Sequence, residues 1–583
     1  MRKKTKLSFF THVILLAVTV WLAILVAPCF QADVSIFEQL ATLPEYLYKP
    51  FQITWLDETT KYILVFVIAY TLIALYLYAN KRNTRNGEEH GSSKWGDVAR
   101  LNKNYAEKRP ENNIILTENF RIGLDIYKHQ HNLNTLVVGG SGSGKTRSYV
   151  MPNILQANCS YIITDPKGEI LKATGGYLQS KGYGIRVFDL THPEFSMCYN
   201  PFVYVEKDDD ILSLISSYIR NTTQKNAQSN DPFWEKAETA LLQALMLYLW
   251  HEAPPEEQNF EMILDMLRVM STTDEYSMHP VDFLFSELRK ENPNHIALKS
   301  YDVFKTAPAK TANSVVVTAG VRFNHFGLSG LSRLTARDEM NLVSIGQKKT
   351  ALYCVIPDID TSYSFLASML YTQVFQQLER FADEQDNGKL PVHVHCIMDE
   401  FANIPIPESF EKVLATARSR SISISIILQD ISQLKSLFDK RWESIMGNCD
   451  EFLFLGGNEQ SSHESVSKLI GKETIDTNSY GLTRGRNGHY STNYQKIGRE
   501  LLLPDEVRRI SRGKAVLLVA NEPAVLDFKY NVKSHPAAKF TSLKGGKPFM
   551  YRYQLPRIFA DVQRAQDYEL LLYDELFPPD TSA

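Results

Sequence analysis

Gly139-Gly140-Ser141-Gly142-Ser143-Gly144-Lys145-Thr146 fits the pattern G-x-x-x-x-G-K-[ST], with Gly139 and Gly144 at the fixed positions. Upstream, Asn134 to Val138 is a short apolar run that predicts a buried strand; downstream, Arg147 to Gln156 predicts a helix. Strand, glycine-rich turn and helix start together make a phosphate-binding loop. The glycines let backbone N–H groups turn inward round a β-phosphate, and the helix N-terminus adds a dipole that favours an anion. Lys145 then reaches the β- and γ-phosphates of ATP, and the Thr146 hydroxyl completes the shell of a Mg2+ ion. A flexible Gly/Ser linker would share the small residues but not the apolar flanks or the Lys-Thr pair.

Around this loop, strands and helices alternate. Ile114 to Thr117 and Arg121 to Leu124 predict short strands before it; Tyr161 to Thr164 and Gly184 to Leu190 predict strands after it. Thr350 to Ile356 predicts another, followed by an amphipathic helix over Tyr363 to Asp383. The order predicts an α/β fold with a parallel sheet. Such sheets bind ligands at the carboxyl ends of their strands. Asp165, which opens Asp165-Pro-Lys-Gly-Glu169, is therefore a candidate to face the nucleotide or a Mg2+-bound water, the competing reading being a turn-forming Asp-Pro.

The apolar run Val392 to Met398 ends in Asp399-Glu400, the second half of an NTPase site. Asp399 holds Mg2+ through water and Glu400 polarises the attacking water as general base. His393 and His395 alternate with Val392, Val394 and Cys396, which reads as one strand face rather than as a metal site. The strand Ser421 to Leu428 ends in Gln429, placed to touch the γ-phosphate and report its loss. Just before it, Arg418 and Arg420 are candidates for an arginine finger acting on a neighbouring subunit's nucleotide, although surface arginines are common. Strands at Asn448 to Leu455, Val516 to Ala520 and around Phe528 close the domain. Thr474 to Lys496, with Arg484, Arg486 and Lys496, is a loop or hairpin: either a nucleic-acid contact or a solvated loop.

Between these halves the pattern changes. From about Phe202 to Ser300 the periodicity is helical, with Trp234, Ala237, Leu241, Ala244, Leu245 and Tyr248 on one apolar face and a polar loop at Asn221 to Asp231. The expected division is a membrane anchor over 1–82, a nucleotide-binding domain over 83–200 and 306–536, an inserted all-helical domain over 201–305, and a C-terminal tail over 537–583. Leu328-Ser-Gly-Leu-Ser332 looks like the signature loop of transport ATPases, but it lies too far before Asp399-Glu400 and reads as a turn.

The chain of 583 residues carries a net charge of −3, so no overall basic field advertises nucleic acid, although a narrow channel lined with Lys and Arg is compatible with it. The 6 cysteines are far apart and form no C-x-x-C, as expected of reduced thiols in a reducing compartment. Leu7 to Ala27 and Tyr62 to Ala79 are apolar over about 31 Å and about 27 Å as helices, long enough to cross a bilayer. Arg2, Lys3, Lys4 and Lys6 precede the first; Lys81, Arg82 and Arg85 follow the second; the segment between carries Asp33, Glu38, Glu45, Asp57 and Glu58. The positive-inside rule puts both termini and the nucleotide-binding domain in the cytoplasm, as a multi-pass protein of the cell membrane. A cleaved signal peptide is the alternative for the first span, with Pro28 before Cys29 against lipoprotein processing.

Taken together, the ordered motifs resemble the type IV coupling proteins of the TraG/TraD-like family, membrane-anchored ATPases of conjugative DNA transfer. The pieces are His90 to Gly96, the phosphate loop, Pro152 to Leu155, Asp165 to Glu169, Tyr199 to Phe202, Asp231 to Trp234, Ile397 to Ala402, Arg418 to Arg420 with Gln429 and Gln433, and Leu503 to Val507. The phosphate loop and Asp-Glu alone are generic; the ordered set is specific. The resemblance implies a RecA-like motor domain with an inserted all-helical domain and ATP hydrolysis between subunits of a homo-hexamer. It also implies DNA, a relaxase or relaxosome, and type IV secretion channel proteins as partners. The compact anchor and short C-terminal tail leave the choice of substrate open. Three alternatives stay beside it: an FtsK/HerA-like DNA translocase, a protein-exporting ATPase that does not handle DNA, and a scaffold that binds ATP only to assemble. The helical insertion speaks against the first, and an intact Lys145, Thr146, Asp399 and Glu400 against the last.

Overall fold

The computed structural model describes residues 5–30, 36–79, 87–223, 232–272, 279–357, 362–404, 407, 410–482 and 490–553. The chain divides into two units, Met1–Glu89 and His90–Ala583.

The first unit holds helices Thr5–Val26, Ile36–Leu47 and Thr59–Ala79. The segments Phe10–Cys29 and Thr59–Leu77 are long and apolar enough to cross a membrane, which fits a membrane anchor. They pair at both ends: His12 Nδ1 is hydrogen-bonded to the Tyr70 hydroxyl at 2.9 Å, and the Tyr62 hydroxyl donates to the Phe30 carbonyl at 3.0 Å. Leu64, Ile68, Leu72 and Leu75 point outward from the second span, an apolar surface suited to lipid. The connecting segment, read as a loop, contains a helix. Ile36, Leu40, Leu43 and Leu47 recur at helical spacing there, and Pro44 sits inside. Of the flanking charges, Arg2, Lys3, Lys4, Lys81, Arg82 and Arg85 lie outside the described residues, as does Asp33.

In the second unit the strands are β1 (Asn113–Ile115), β2 (Arg121–Gly123), β3 (Thr135–Val138), β4 (Ser160–Thr164), β5 (Gly184–Asp189), β6 (Thr350–Val355), β7 (Val394–Met398), β8 (Ile422–Leu428), β9 (Glu451–Phe454), β10 (Lys472–Leu482), β11 (Tyr490–Glu500), β12 (Lys514–Val519) and β13 (Val525–Phe528). Nine form one sheet in the order β13-β12-β9-β3-β8-β7-β4-β6-β5. The run from β9 to β5 is parallel, as expected; β12 and β13 are antiparallel, so the sheet is mixed at that edge. β1 and β2 form a separate two-stranded antiparallel sheet.

Strand alternation sends Leu136, Val138, Ile162 and Phe188 to one face of the sheet, and Val137, Tyr161, Ile163 and Ile397 to the other. The second face is covered by the helical turns of Thr146–Leu155 and by helix Glu169–Ser180; the first packs on helix Ser364–Asp383 and on the helical block.

That block runs from helix Asp208–Thr222 through helix Ser329–Thr335, so helices continue past residue 305. Helix Ala309–Phe323 is rich in Thr and Val, which masks its period, yet Val315, Val316, Ala319 and Phe323 are buried on one side. Leu328 to Ser332, expected as a turn, starts the last helix. Tyr218, Phe260, Phe323, Phe326 and Phe365 form an aromatic core, and Arg322 is paired with the buried Glu238 at 2.7 Å. Trp234, expected on the apolar face of helix Pro232–Glu252, is 40% exposed, because burial on that helix begins at Glu238 and surrounds its second half. Most of the polar loop Asn221 to Asp231 lies outside the described residues.

The chain enters and leaves the block through a paired neck. Tyr199 N–H donates to the Leu334 carbonyl at 2.7 Å, Glu339 N–H to the Cys198 carbonyl at 2.9 Å, and Cys198 N–H to Glu339 Oε2 at 2.8 Å. After β13 the chain returns across the sheet's second face as a strap. Phe549 N–H donates to the Lys172 carbonyl at 2.8 Å, and its ring fills the groove left by Gly175 and Gly176, where a Cβ on Gly175 would come within 2.6 Å of the ring. At the strap's end the Tyr553 hydroxyl donates to Glu339 Oε1 at 2.9 Å and accepts from Arg337 at 2.7 Å, with the Arg333 guanidinium over its ring. Of the C-terminal tail, residues 554–583 lie outside the described residues.

Thr474 to Lys496 falls within a hairpin, β10 paired to β11 from Lys472–Glu500 to Leu482–Tyr490; Arg484 and Arg486 lie outside the described residues. His90 and Ser93 pin the hairpin's base, through His90 N–H to Thr474 Oγ1 at 3.0 Å and Ser93 N–H to the Lys472 carbonyl at 2.9 Å.

Candidate nucleotide-binding site

The phosphate loop leaves the carboxyl end of β3 and runs into a helical turn at Thr146. Gly142 and Gly144 hold φ of 73° and 95°, a region that disfavours side chains. Gly139 is needed for space: a Cβ there would lie 2.4 Å from Ser143 Oγ. Gly140 N–H donates to the Gly456 carbonyl at 2.9 Å, so the loop is braced from the end of β9 by Gly456-Gly457. Ser143 N–H closes the turn on the Gly140 carbonyl at 3.0 Å. Ser141 lies at the exposed tip.

Lys145 is buried, and its ammonium donates to the Gly139 carbonyl at 2.7 Å. Burial pushes its pKa down, while Asp399, Glu400 and Asp430 pull it back up. The Thr146 hydroxyl donates to Asp399 Oδ2 at 2.9 Å, so the two halves of the motif, 253 residues apart in sequence, meet directly. Glu400 follows at φ 51° and ψ 45°, a left-handed backbone that is strained for a glutamate and occurs where a fold over-determines a residue. Its Oε2 accepts from Asn403 Nδ2 at 3.2 Å.

Strand order explains how Gln429 joins them. β8 lies between β3 and β7, with Val138 opposite Leu428, so the residue after Leu428 emerges beside the loop. Gly139 N–H donates to the Leu428 carbonyl at 3.0 Å, and Gln429 N–H to Gln433 Oε1 at 2.9 Å.

Asp165 reaches the same edge at the end of β4 but is spent differently. Its Oδ2 accepts the Leu171 N–H at 2.7 Å and caps helix Glu169–Ser180. Burial pushes its carboxyl up to about 6, against the N–H groups of Leu171, Ile170 and Glu169 that favour the anion.

Arg418 and Arg420 precede β8 and so sit at the opposite edge of the sheet, about 23 Å from the loop along the strand. The structure does not bring them to this chain's own site. Arg420 is engaged by Asp383 at 3.1 Å and Glu379 at 3.3 Å. Arg418 is partly exposed beside Tyr127, Asn132 and His393.

Two features carry no motif. Beneath the carboxylates, His395 Nε2 and the Tyr149 hydroxyl both bond Ser425 Oγ at 2.7 Å, and His393 Nε2 bonds Ser423 Oγ at 2.8 Å. His393 and His395 do share a strand face, and they face serines on β8. Tyr149 lies three residues after Thr146, and His395 and Ser425 four before Asp399 and Gln429. The ladder therefore ties the phosphate-loop helix, β7 and β8 together. The second feature is Lys529, whose Nζ donates to the Ser143 carbonyl at 2.8 Å. A Gly-Gly pair closing a strand was a usable signal for Gly456; a lone lysine near the C-terminal end offered none.

The donor set fits a nucleoside triphosphate with Mg2+. Backbone N–H groups, a buried lysine and a hydroxyl facing a carboxylate converge, and Ser143 Oγ is buried there with no hydrogen-bond partner among the described residues.

A family model described as type IV secretory system conjugative DNA transfer matches residues 93–530. Conjugal transfer protein TraG of Escherichia coli is 24% identical over 426 residues, covering 68% of this chain and 67% of TraG. Protein VirD4 of Rhizobium rhizogenes is 21% identical over 399 residues, covering 67% of this chain and 57% of VirD4, so the chain spans little more than half of that relative. Among solved structures, the unbound bacterial conjugative coupling protein TrwB superposes with a TM-score of 0.53 at 13% identity, covering 81% of this chain and 98% of that one. Plasmid coupling protein TrwB in complex with ADP and Mg2+ gives 0.52 at 14% identity, covering 75% and 94%. At such identities the likeness shows a shared fold. With the matched region holding the phosphate loop, Asp399, Glu400 and Gln429, the chain belongs to the type IV secretory system conjugative DNA transfer family.

Proposed function

We propose that this chain is a membrane-anchored hexameric ATPase that couples a relaxase–DNA substrate to a type IV secretion channel and moves DNA by ATP hydrolysis. The observation that carries the reading is the direct meeting of Thr146 and Asp399 at 2.9 Å. Thr146, and Asp399 through water, would hold Mg2+, which when bound would supply positive charge to the phosphates. Lys145 turns from the Gly139 carbonyl to the γ-phosphate. Glu400 takes the proton of the attacking water, and Gln429 reads whether the γ-phosphate is present. Arg418 acts in trans on the next subunit's nucleotide; both arginines lie far from the home site and are partly exposed, and the two carboxylates that hold Arg420 favour Arg418. Both termini and the motor lie in the cytoplasm, with the segment between the spans outside.

Lys145→Ala tests the reading. It removes the charge that meets the γ-phosphate, and the expected result is loss of ATPase activity and of DNA transfer with membrane insertion intact. Normal transfer by this variant would sink the motor assignment.

A further inference from the structure

Lys529 reaches the phosphate loop from just after the last strand of the sheet, far in sequence from the loop and from Asp399-Glu400. Its segment is held firmly. Glu118 N–H donates to the Phe528 carbonyl at 2.8 Å, Lys529 N–H to the Gly513 carbonyl at 2.8 Å, and Asn531 N–H to Glu118 Oε2 at 3.2 Å. Two residues earlier, the buried Asp527 takes the Thr117 hydroxyl at 2.6 Å and the Asn119 N–H at 3.0 Å. With its backbone fixed, Lys529 brings its ammonium to the phosphate loop, 2.8 Å from the Ser143 carbonyl.

The electrostatics of the two lysines differ. Lys145 is surrounded by Asp399, Glu400 and Asp430, which offset the cost of burying it. Lys529 is half-buried, burial alone pulls its pKa down, and no ion pair with a carboxylate is present for it among the described residues. An ammonium has three donors, and the one contact seen uses one of them. A desolvated cation without a counter-charge is costly, and it persists where an anion arrives to meet it. The residue whose carbonyl it touches also carries the orphaned Ser143 hydroxyl.

We propose that Lys529 is a phosphate ligand of this site. It braces the Ser143 carbonyl with one donor and contacts a phosphate oxygen of a bound nucleoside di- or triphosphate with another. The proposal rests on the nucleotide-binding reading of the loop and adds to it a cation supplied from the far end of the fold.

The test uses the full chain in detergent, with MANT-ADP and MANT-ATP as fluorescent probes, on wild type and on Lys529→Met, Lys529→Gln and Lys529→Arg. Charge-assisted hydrogen bonds to phosphate are strong enough that Met should raise Kd for both probes about tenfold. Gln, which donates a hydrogen bond but carries no charge, should behave like Met, and Arg should return Kd to within about threefold of wild type. Thermal midpoints without nucleotide should match. A Met variant with wild-type Kd overturns the proposal. So does a Gln variant with wild-type Kd, which would leave Lys529 as a brace alone. If wild type binds neither probe, the nucleotide site itself is refuted, an outcome distinct from both.

Discussion

Acidification from pH 7 to pH 5 probes the polar ladder beneath Asp399 directly. Burial pushes the His395 imidazole from 6.5 down to about 3. In the unfolded chain that ring takes up a proton as pH falls through 6.5; in the fold it stays neutral until about 3. The stability it contributes is therefore complete above 6.5 and is lost progressively as pH falls toward 3. Between pH 7 and pH 5 the loss from this one residue comes to about 2 kcal/mol. His395→Gln keeps an amide able to bond Ser425 and removes the titration. Denaturant unfolding of both proteins at each pH, followed by circular dichroism, should show wild type losing about 2 kcal/mol more than the variant. The comparison is needed because Asp165, pushed by burial up to about 6, and Glu451, pushed by burial up to about 7, act in the opposite sense and cancel between the two proteins. Equal losses would mean that His395 is not held neutral in the fold, and the ladder would lose its role as a fixed link between β7 and β8.

Glu400→Gln should keep ATP binding and lower turnover by roughly 10²- to 10⁴-fold, read by equilibrium binding beside steady-state hydrolysis; weaker binding with unchanged turnover would reassign the residue. Arg418→Ala and Lys145→Ala should each be inactive alone and recover activity when mixed, because some interfaces then pair an intact loop with an intact finger; an inactive mixture with proven mixed oligomers moves the finger elsewhere. Glu459→Ala should cost about 1 kcal/mol by uncapping helix Gln460–Ile470, measured by thermal unfolding at pH 7. Burial works against that carboxylate, but bonds from Ser462, Ser461 and Ser432 hold it down at about 2, so its contribution is present above 4.5 and vanishes as pH falls toward 2.

The phosphate loop and Asp399-Glu400 were legible because their chemistry fixes residue types at fixed spacing, and β8 was legible as a strand ending in Gln429. What pairs with what was not. Asp165 was a candidate because it follows a strand at the binding edge; that its carboxylate also accepts the Leu171 N–H in the first turn of helix Glu169–Ser180 was not legible. Helix Ala309–Phe323 is hidden by its valines and threonines, whose local preference favours strand until tertiary burial decides. Ser423 and Ser425 belong to no motif, and only the register of β7 against β8 brings them to the histidines. Lys529 meets Ser143 across 386 residues, a separation that no local pattern spans.

The strap from Phe549 to Tyr553 sets a limit on travel. One end is seated in the glycine groove of helix Glu169–Ser180, which begins just after Asp165. The other is clamped by Arg337 and Glu339 on the neck of the helical block. Four residues fully extended reach about 14 Å, so while both ends are docked the neck and that helix move on a leash of this length. A larger swing of the block must first release Tyr553 or lift Phe549 from its groove. The limit on this motion is thus written in a short run, Phe549 to Tyr553, that lies outside both the nucleotide loop and the helical block.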